Sequence, residues 1–173
     1  MKLNKIEPRF KKNSNPRIGL IALATDFMIE KDFINVIKDK EIDFFVNRIE
    51  CYNPLTKENL IKMSDKVTEV TNNILPNEDI DCVVYGCTSG TIATGHDVIE
   101  KKVRAAKPKA ELTTPSTAAI KALKKLKVKK LAIFTPYSKK LNNEVVEYFK
   151  EEKFEVVSNC LLYTSDAADD GLC

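Results

Sequence analysis

The architecture of this chain follows from residues 81–91, which read Asp81-Cys82-Val83-Val84-Tyr85-Gly86-Cys87-Thr88-Ser89-Gly90-Thr91. The first part of this run is short, apolar and β-branched, which is typical of a central strand in a parallel sheet. Gly86 and Gly90 allow a tight turn after the strand. Hydroxyl side chains follow where the next helix must begin. We therefore expect a buried strand that runs directly into a helix.

Cys87 lies at this predicted junction of strand and helix. The first turn of a helix exposes unpaired N–H groups and carries partial positive charge, so it binds carboxylates and lowers the pKa of a nearby thiol. Cys87 is therefore a candidate catalytic thiolate, and Thr88 and Ser89 are candidate carboxylate-binding residues. The alternative role for Cys87 is that of a small buried hydrophobic residue, as free cysteine commonly is. A Walker loop is excluded, because no lysine follows the last glycine.

Apolar runs and amphipathic segments alternate along the rest of the chain. Strands are predicted at residues 17–24, 42–49, 82–85, 111–114, 130–135 and 154–158. Helices are predicted at residues 30–40, 56–75, 89–106, 116–127 and 138–152. Strands that alternate with helices indicate parallel sheets with helices on both faces.

Three segments carry a family resemblance: Arg48-Ile49 with Asn53-Pro54-Leu55-Thr56-Lys57-Glu58-Asn59-Leu60, then Val84 to Thr91, then Thr135-Pro136-Tyr137. In this order they resemble the maleate cis-trans isomerase and arylmalonate decarboxylase group of the aspartate/glutamate racemase superfamily. Within that group the chain is most similar to the ectoine-utilisation proteins. The resemblance extends from about residue 17 to about residue 158.

The resemblance implies an α/β fold of two flavodoxin-like lobes with parallel sheets flanked by helices, in which the second lobe and the return to the first lobe are incomplete. Residues 1–16 are then a flexible N-terminal arm, 17–114 the first lobe with the Cys87 motif, and 115–159 the start of the second lobe. Residues 160–173 instead resemble one reading frame of a sequencing adapter, so we expect a non-native tail there.

The same resemblance implies cofactor-independent chemistry on a small carboxylic acid, in which Tyr137 helps to hold the substrate carboxylate. The first loop of the family also contacts substrate, which makes Asp26 a candidate, although the maleate-isomerase pattern has an asparagine near this position. Asp26 is equally suited to cap the following helix. Arg48 is a further candidate carboxylate partner.

In this family a second catalytic cysteine comes from a later part of the chain than these 173 residues match. The decarboxylases of the group carry a small residue at the first cysteine position, so Cys87 favours an isomerase or a racemase. A chain without the second cysteine is expected to be inactive. The alternatives are an arylmalonate-type decarboxylase and a non-catalytic protein that binds a small acid.

Composition limits the other classes of function. The net charge is +3, and the excess lysines are spread over helix surfaces, so nucleic-acid binding is not expected. No apolar run is long enough to span a bilayer, and the start of the chain is polar and basic, which indicates a cytoplasmic protein. The five cysteines lack regular spacing and His96 is the only histidine, so we expect reduced thiols and no metal site. The absence of a cofactor is implied by the family resemblance. The chain is compatible with a homo-oligomer.

Overall fold

The computed structural model describes residues 15–162, so the expectations for residues 1–14 and 163–173 lie outside the described residues. In chain order its elements are β1 (Arg17–Leu23), α1 (Ile29–Ile37), β2 (Asp43–Ile49), α2 (Lys57–Ser64), α3 (Val67–Asn72), β3 (Cys82–Tyr85), α4 (Thr88–Thr94), α5 (His96–Ala106), β4 (Glu111–Thr113), α6 (Pro115–Lys125), β5 (Lys130–Thr135), α7 (Lys139–Glu151) and β6 (Glu155–Leu161).

The strands form two parallel sheets. The larger sheet has the order β2-β1-β3-β4, so β3 is an inner strand that pairs with β1 on one side and β4 on the other. The smaller sheet pairs β5 with β6. The predicted α/β fold, with parallel sheets flanked by helices, is confirmed. Parallel strands end at the same edge of a sheet, so the polar residues that follow β1 and β3 come to one edge.

The main core lies between the larger sheet and helices α2, α3 and α5. Strand β3 contributes Val83 and Tyr85, which are fully buried, and the helices contribute Met63, Val67 and Ile99. These side chains are apolar at the helical spacing that the sequence shows, and burying each of them stabilises the fold by about 1.5–3 kcal/mol. The core therefore fixes the strand that leads to Cys87.

Two predicted helices are each divided in two. The segment 56–75 forms α2 and α3, which are separated at Asp65 and Lys66, yet the apolar stripe stays buried on both sides of the break. The segment 89–106 divides at Gly95, whose φ of 91° is a left-handed conformation that side chains disfavour. Apolar periodicity thus predicted the buried face of both segments but not the breaks.

The smaller sheet is covered by α7 on one face, where Val145 and Val146 are buried. Elsewhere around this sheet large apolar side chains are open to solvent: Phe134 is 61% exposed and Val157 is 56% exposed. Leu126, which the helical spacing predicts to be buried, is 73% exposed because no element in the described part of the chain covers that end of α6. Strand β6 continues to Leu161, two residues into the segment 160–173.

Within residues 15–162, no helix combines the length and the apolar character that crossing a bilayer requires.

Candidate functional site

Cys87 occupies the N-cap position of α4, directly after the turn that ends β3. Its Sγ accepts a hydrogen bond from the Gly90 N–H at 3.2 Å and lies 3.8 Å from the Ser89 Oγ. The side chain is buried, with 3% of its surface exposed. The predicted passage from strand to helix is therefore present, and the thiol is part of the helix cap.

The environment of this thiol raises its pKa. Burial is the largest influence, and the hydrogen bonds from Gly90 and Ser89 lower the pKa by less than burial raises it. The expectation of a low thiol pKa is therefore wrong for this structure. Helix α4 has only seven residues, so its dipole is short while the desolvation of the thiol is nearly complete. Cys87 is a neutral thiol at pH 7 until something stabilises its thiolate.

Tyr137 reaches the same place from the second sheet. It follows β5, and its ring packs against both the main core and the cluster beneath β5. Burial raises the pKa of its phenol, the hydroxyls of Ser89 and Thr88 lower it, and the Cys87 thiol raises it. These interactions bring Cys87, Thr88, Ser89 and Tyr137 together, although they come from two separate segments of sequence.

A cleft of about 400 Å³ opens beside these hydroxyls. Thr88 and Tyr137 belong to its lining, and its other walls come from β5, α6 and α7. The lining residues are Thr88, Leu123, Leu131, Ala132, Ile133, Phe134, Thr135, Pro136, Tyr137, Val145 and Phe149. Its size and its mainly apolar lining with few polar groups are typical of small-molecule sites.

Asp26 bonds to the backbone at the start of α1, two residues before the N-cap residue Met28. Its Oδ1 accepts hydrogen bonds from the backbone N–H groups of Met28 at 2.8 Å and Ile29 at 2.9 Å. This is the structural role that the sequence allows for it. Asp26 follows β1, which neighbours β3, but contact with a substrate stays a prediction.

Arg48 holds the loop that carries Asp26. Its guanidinium donates to the backbone carbonyls of Leu23 at 3.0 Å and Asp26 at 2.6 Å, and it forms an ion pair with Glu30 at 2.6 Å. The charge of Arg48 is thus compensated within the protein. We assign it the role of fixing the loop between β1 and α1 rather than that of binding a substrate carboxylate.

Sequence reasoning missed two residues near the thiol. Tyr85 is fully buried, and its hydroxyl has no hydrogen-bond partner among the described residues. Cys51 is half-buried and raises the pKa of both Tyr85 and Cys87 electrostatically. Tyr85 could have been found, because residues two apart on a strand point to the same face and Tyr85 precedes Cys87 by two. No sequence pattern around Cys51 indicates that it lies near Cys87.

One group within the described residues has the composition of a metal site. The ligand atoms of His96, Asp97 and Glu100 lie within 4.8 Å of one another at the start of α5. The group is partly exposed and belongs to a single helical turn. We assign it no role, and the expected lack of a metal stays a prediction.

Comparison with known proteins gives a consistent set of matches. A family model described as arylmalonate decarboxylase matches residues 37–169. The chain is 29% identical over 153 residues to a maleate isomerase of Pseudomonas putida, covering 81% of this chain and 60% of that protein. It is 25% identical over 169 residues to a maleate isomerase of Geobacillus stearothermophilus, covering 90% and 66%. The chain thus spans about two thirds or less of the length of these relatives.

Solved structures share the fold. The maleate isomerase Iso from Pseudomonas putida S16 superimposes with a TM-score of 0.74 at 24% identity, covering 86% of this chain and 64% of that one. A cysteine-to-serine mutant of Nocardia farcinica maleate cis-trans isomerase, which carries a covalently bound succinylcysteine intermediate, gives a TM-score of 0.73 at 19% identity with the same coverage. At these identities the structures establish the fold.

Proposed function

We propose, from the premise that this chain belongs to the arylmalonate decarboxylase family, that the protein is a cofactor-independent isomerase or racemase of small carboxylic acids that acts through the thiolate of Cys87. The observation that carries this proposal is the grouping of Cys87 with Thr88, Ser89 and Tyr137. Thr88 and Tyr137 of this group line one cleft. The two curated relatives are described as maleate isomerases, which favours isomerisation of a cis-dicarboxylic acid.

The hydroxyl groups of Thr88, Ser89 and Tyr137 bind one carboxylate of the acid in this proposal. Thr88 and Ser89 follow β3 of the larger sheet and Tyr137 follows β5 of the smaller sheet, so a carboxylate between them is held from two sides. Hydrogen-bond donors fixed in advance around a group that gains negative charge stabilise the transition state more than the ground state. The same three hydroxyls therefore serve both binding and catalysis.

The chemical step for an isomerase is addition of the thiolate to the double bond. The Sγ–C bond forms while the π electrons move to the neighbouring carbon, which takes a proton from a second acid on the other side of the substrate. The remaining single bond rotates, the second group removes that proton as the double bond re-forms, and the Sγ–C bond breaks to release the thiolate. The covalent succinylcysteine of the Nocardia farcinica enzyme is a cysteine adduct of this kind and supports the proposal. In a racemase, the Cys87 thiolate would remove the α-proton and a second acid would return one from the other face.

The chain of 173 residues is proposed to lack turnover on its own. Both reactions need a second acid/base opposite Cys87, and in the relatives the matched region is at most 66% of the protein. The proposed two lobes, residues 17–114 and 115–159, agree with the two separate sheets. The closeness to ectoine-utilisation proteins, the non-native tail, the cytoplasmic location and a homo-oligomer stay predictions of the sequence.

An activity screen tests the proposal. The 173-residue chain and a form extended to the length of the maleate isomerases are incubated with maleate, aspartate, glutamate and arylmalonates, and products are followed by proton NMR. We expect the extended form alone to turn over, and to convert maleate. Cys87→Ser should abolish this activity, and Tyr137→Phe should reduce it about 100-fold, as loss of one such donor does. Cys82→Ser, which alters a half-buried strand thiol, is the matched control.

Each other outcome of the screen has a definite meaning. Turnover by the short chain would show that one cysteine at this site suffices, and the two-group mechanism would be wrong. Loss of carbon dioxide from arylmalonates without isomerisation would favour a decarboxylase. Saturable binding of an acid without turnover by the extended form would favour a binding protein.

A further inference from the structure

We propose that Tyr85 is a positioning residue for the proposed nucleophile: its buried hydroxyl donates a hydrogen bond to the Cys87 thiolate and stabilises it when the thiol loses its proton. This inference rests on the proposed function of Cys87. It concerns the ionisation of the thiol and not the identity of the acid.

The hydroxyl of Tyr85 is an unpaired buried donor. The residue has no exposed surface, and its oxygen has no hydrogen-bond partner among the described residues. A buried tyrosine hydroxyl usually finds a partner, because an unpaired buried polar group destabilises the protein. Such a group in a folded protein calls for an explanation, and a catalytic role is one of the few available. A phenylalanine would fill the same space without this cost.

The Cys87 sulfur is an acceptor close to this donor. A Cβ atom placed on Gly90 would lie 2.7 Å from the Tyr85 oxygen and 2.8 Å from the Cys87 sulfur. The two atoms are therefore neighbours across the space that the glycine leaves open. The Met63 methyl group lies 3.1 Å from the same point, so this space is closed by an apolar side chain. A charge on sulfur here is shielded from solvent and depends on donors from the protein.

The neighbouring groups leave few other sources of stabilisation. Those that shift the pKa of Cys87 are Gly90, Ser89, Cys51 and Tyr85, and none of them is a cation. Cys51 raises the Cys87 pKa electrostatically and so acts against the thiolate. Burial raises the pKa of the Tyr137 phenol, which is therefore neutral at pH 7. Burial, the largest cause, and Cys87 both raise the pKa of Tyr85, so its phenol is protonated at pH 7 and can donate a hydrogen bond.

The thiol titration of Tyr85→Phe tests this role. The ultraviolet absorbance of the thiolate is followed against pH in the 173-residue chain, and the curve of a matched Cys87→Ser variant is subtracted so that only Cys87 is observed. We expect the Cys87 pKa to rise by about one unit in Tyr85→Phe, which corresponds to a tenfold smaller thiolate fraction at a given pH below it. Tyr148→Phe, on α7 beside Ser116, is the control and should leave the pKa unchanged.

A second variant guards against a purely structural effect. Site-specific 3-fluorotyrosine at position 85 keeps the shape and the hydroxyl but makes it a stronger donor, so the Cys87 pKa should fall. An unchanged pKa in Tyr85→Phe, or shifts in the same direction for both variants, would overturn the proposal. Because the titration needs no substrate, the role of Tyr85 and the proposed function can fail separately. Cys87-dependent turnover by the extended form without a pKa shift in Tyr85→Phe refutes the role of Tyr85. A pKa shift without turnover of any acid by the extended form refutes the proposed function.

Discussion

Replacing Gly90 by alanine should destabilise this protein, although alanine is the better helix former. In an unconstrained helix position the substitution stabilises by about 0.4–1 kcal/mol. At Gly90 the new methyl group meets the Tyr85 hydroxyl at 2.7 Å, the Cys87 sulfur at 2.8 Å and the Met63 methyl at 3.1 Å. The first two are closer than real Cβ atoms come, and both belong to side chains that are held in the core.

The size of the effect follows from two opposing contributions. Forcing an extra methyl group into a packed core costs about 1–3 kcal/mol. After the gain in helix propensity is subtracted, we expect a net loss of about 1–2 kcal/mol in the free energy of unfolding. For a chain of this size that loss lowers the melting temperature by roughly 2–8 °C. Part of the lost free energy of unfolding comes from the contact with the Tyr85 oxygen, so Gly90→Ala should be less destabilising when Tyr85 is replaced by phenylalanine. The coupling free energy between the two substitutions should be about 0.5 kcal/mol or more.

Urea unfolding of the four proteins in this double-mutant cycle measures the effect. Gly95→Ala is the matched control, because a Cβ there meets nothing within 4 Å and its cost comes only from the positive φ. That cost should be the same with Tyr85 or Phe at position 85. A Gly90→Ala protein more stable than the wild type, or additive effects with Tyr85→Phe, would refute the packing that we describe around the thiol.

Three further substitutions test the surroundings of the site by the free energy of unfolding. Lys107→Met should lower the free energy of unfolding by about 2–3 kcal/mol, because the buried ammonium group donates to two backbone carbonyls at 2.8 Å. Lys109→Met, at an exposed position, is the control and should have no measurable effect. Equal losses in the two variants would contradict the assigned role of Lys107. Arg48→Ala should cost about 1 kcal/mol and speed proteolysis of the loop after β1, since its hydrogen bonds to that loop are lost; an uncut loop would count against this role. Thr114→Ala removes the capping box of α6 and should cost about 1 kcal/mol, whereas Thr114→Ser should retain most of it.

The strand and helix around Cys87 could be predicted because their signals are local. Four apolar residues followed by glycine and hydroxyl residues specify β3 and the start of α4. The ionisation of Cys87 could not be predicted in the same way. Its position in a helix cap is visible in the sequence, but its burial depends on Met63 and on other residues brought to it by the fold. Here the desolvation of the thiol outweighs the effect of the helix start.

The partners of charged side chains were also beyond sequence reasoning. Arg48 pairs with Glu30 and with the loop before it, 18 to 25 residues away along the chain, and no local pattern encodes that choice. At Leu126 the local pattern is clear, but the surroundings that would bury the side chain are missing from the described residues. The spacing of Leu126 predicts burial, and this prediction is wrong because burial also requires a neighbouring element and within the described residues none covers it. An isolated glycine such as Gly95 is tolerated in many helices, so its positive φ had no signal of its own.

Because β5 and β6 form a sheet of only two strands, we expect the segment that carries Tyr137 to exchange its amide hydrogens faster than the segment that carries Cys87. A sheet of only two strands is marginal by itself, so its persistence depends on α7 and on the contacts of α7 with α4. Amide hydrogen exchange in such a unit proceeds by openings that leave the rest of the protein folded. We expect each such opening to withdraw Tyr137 from Thr88 and Ser89 while Cys87 stays in its cap. The backbone amide of Tyr137 should therefore exchange faster than that of Cys87.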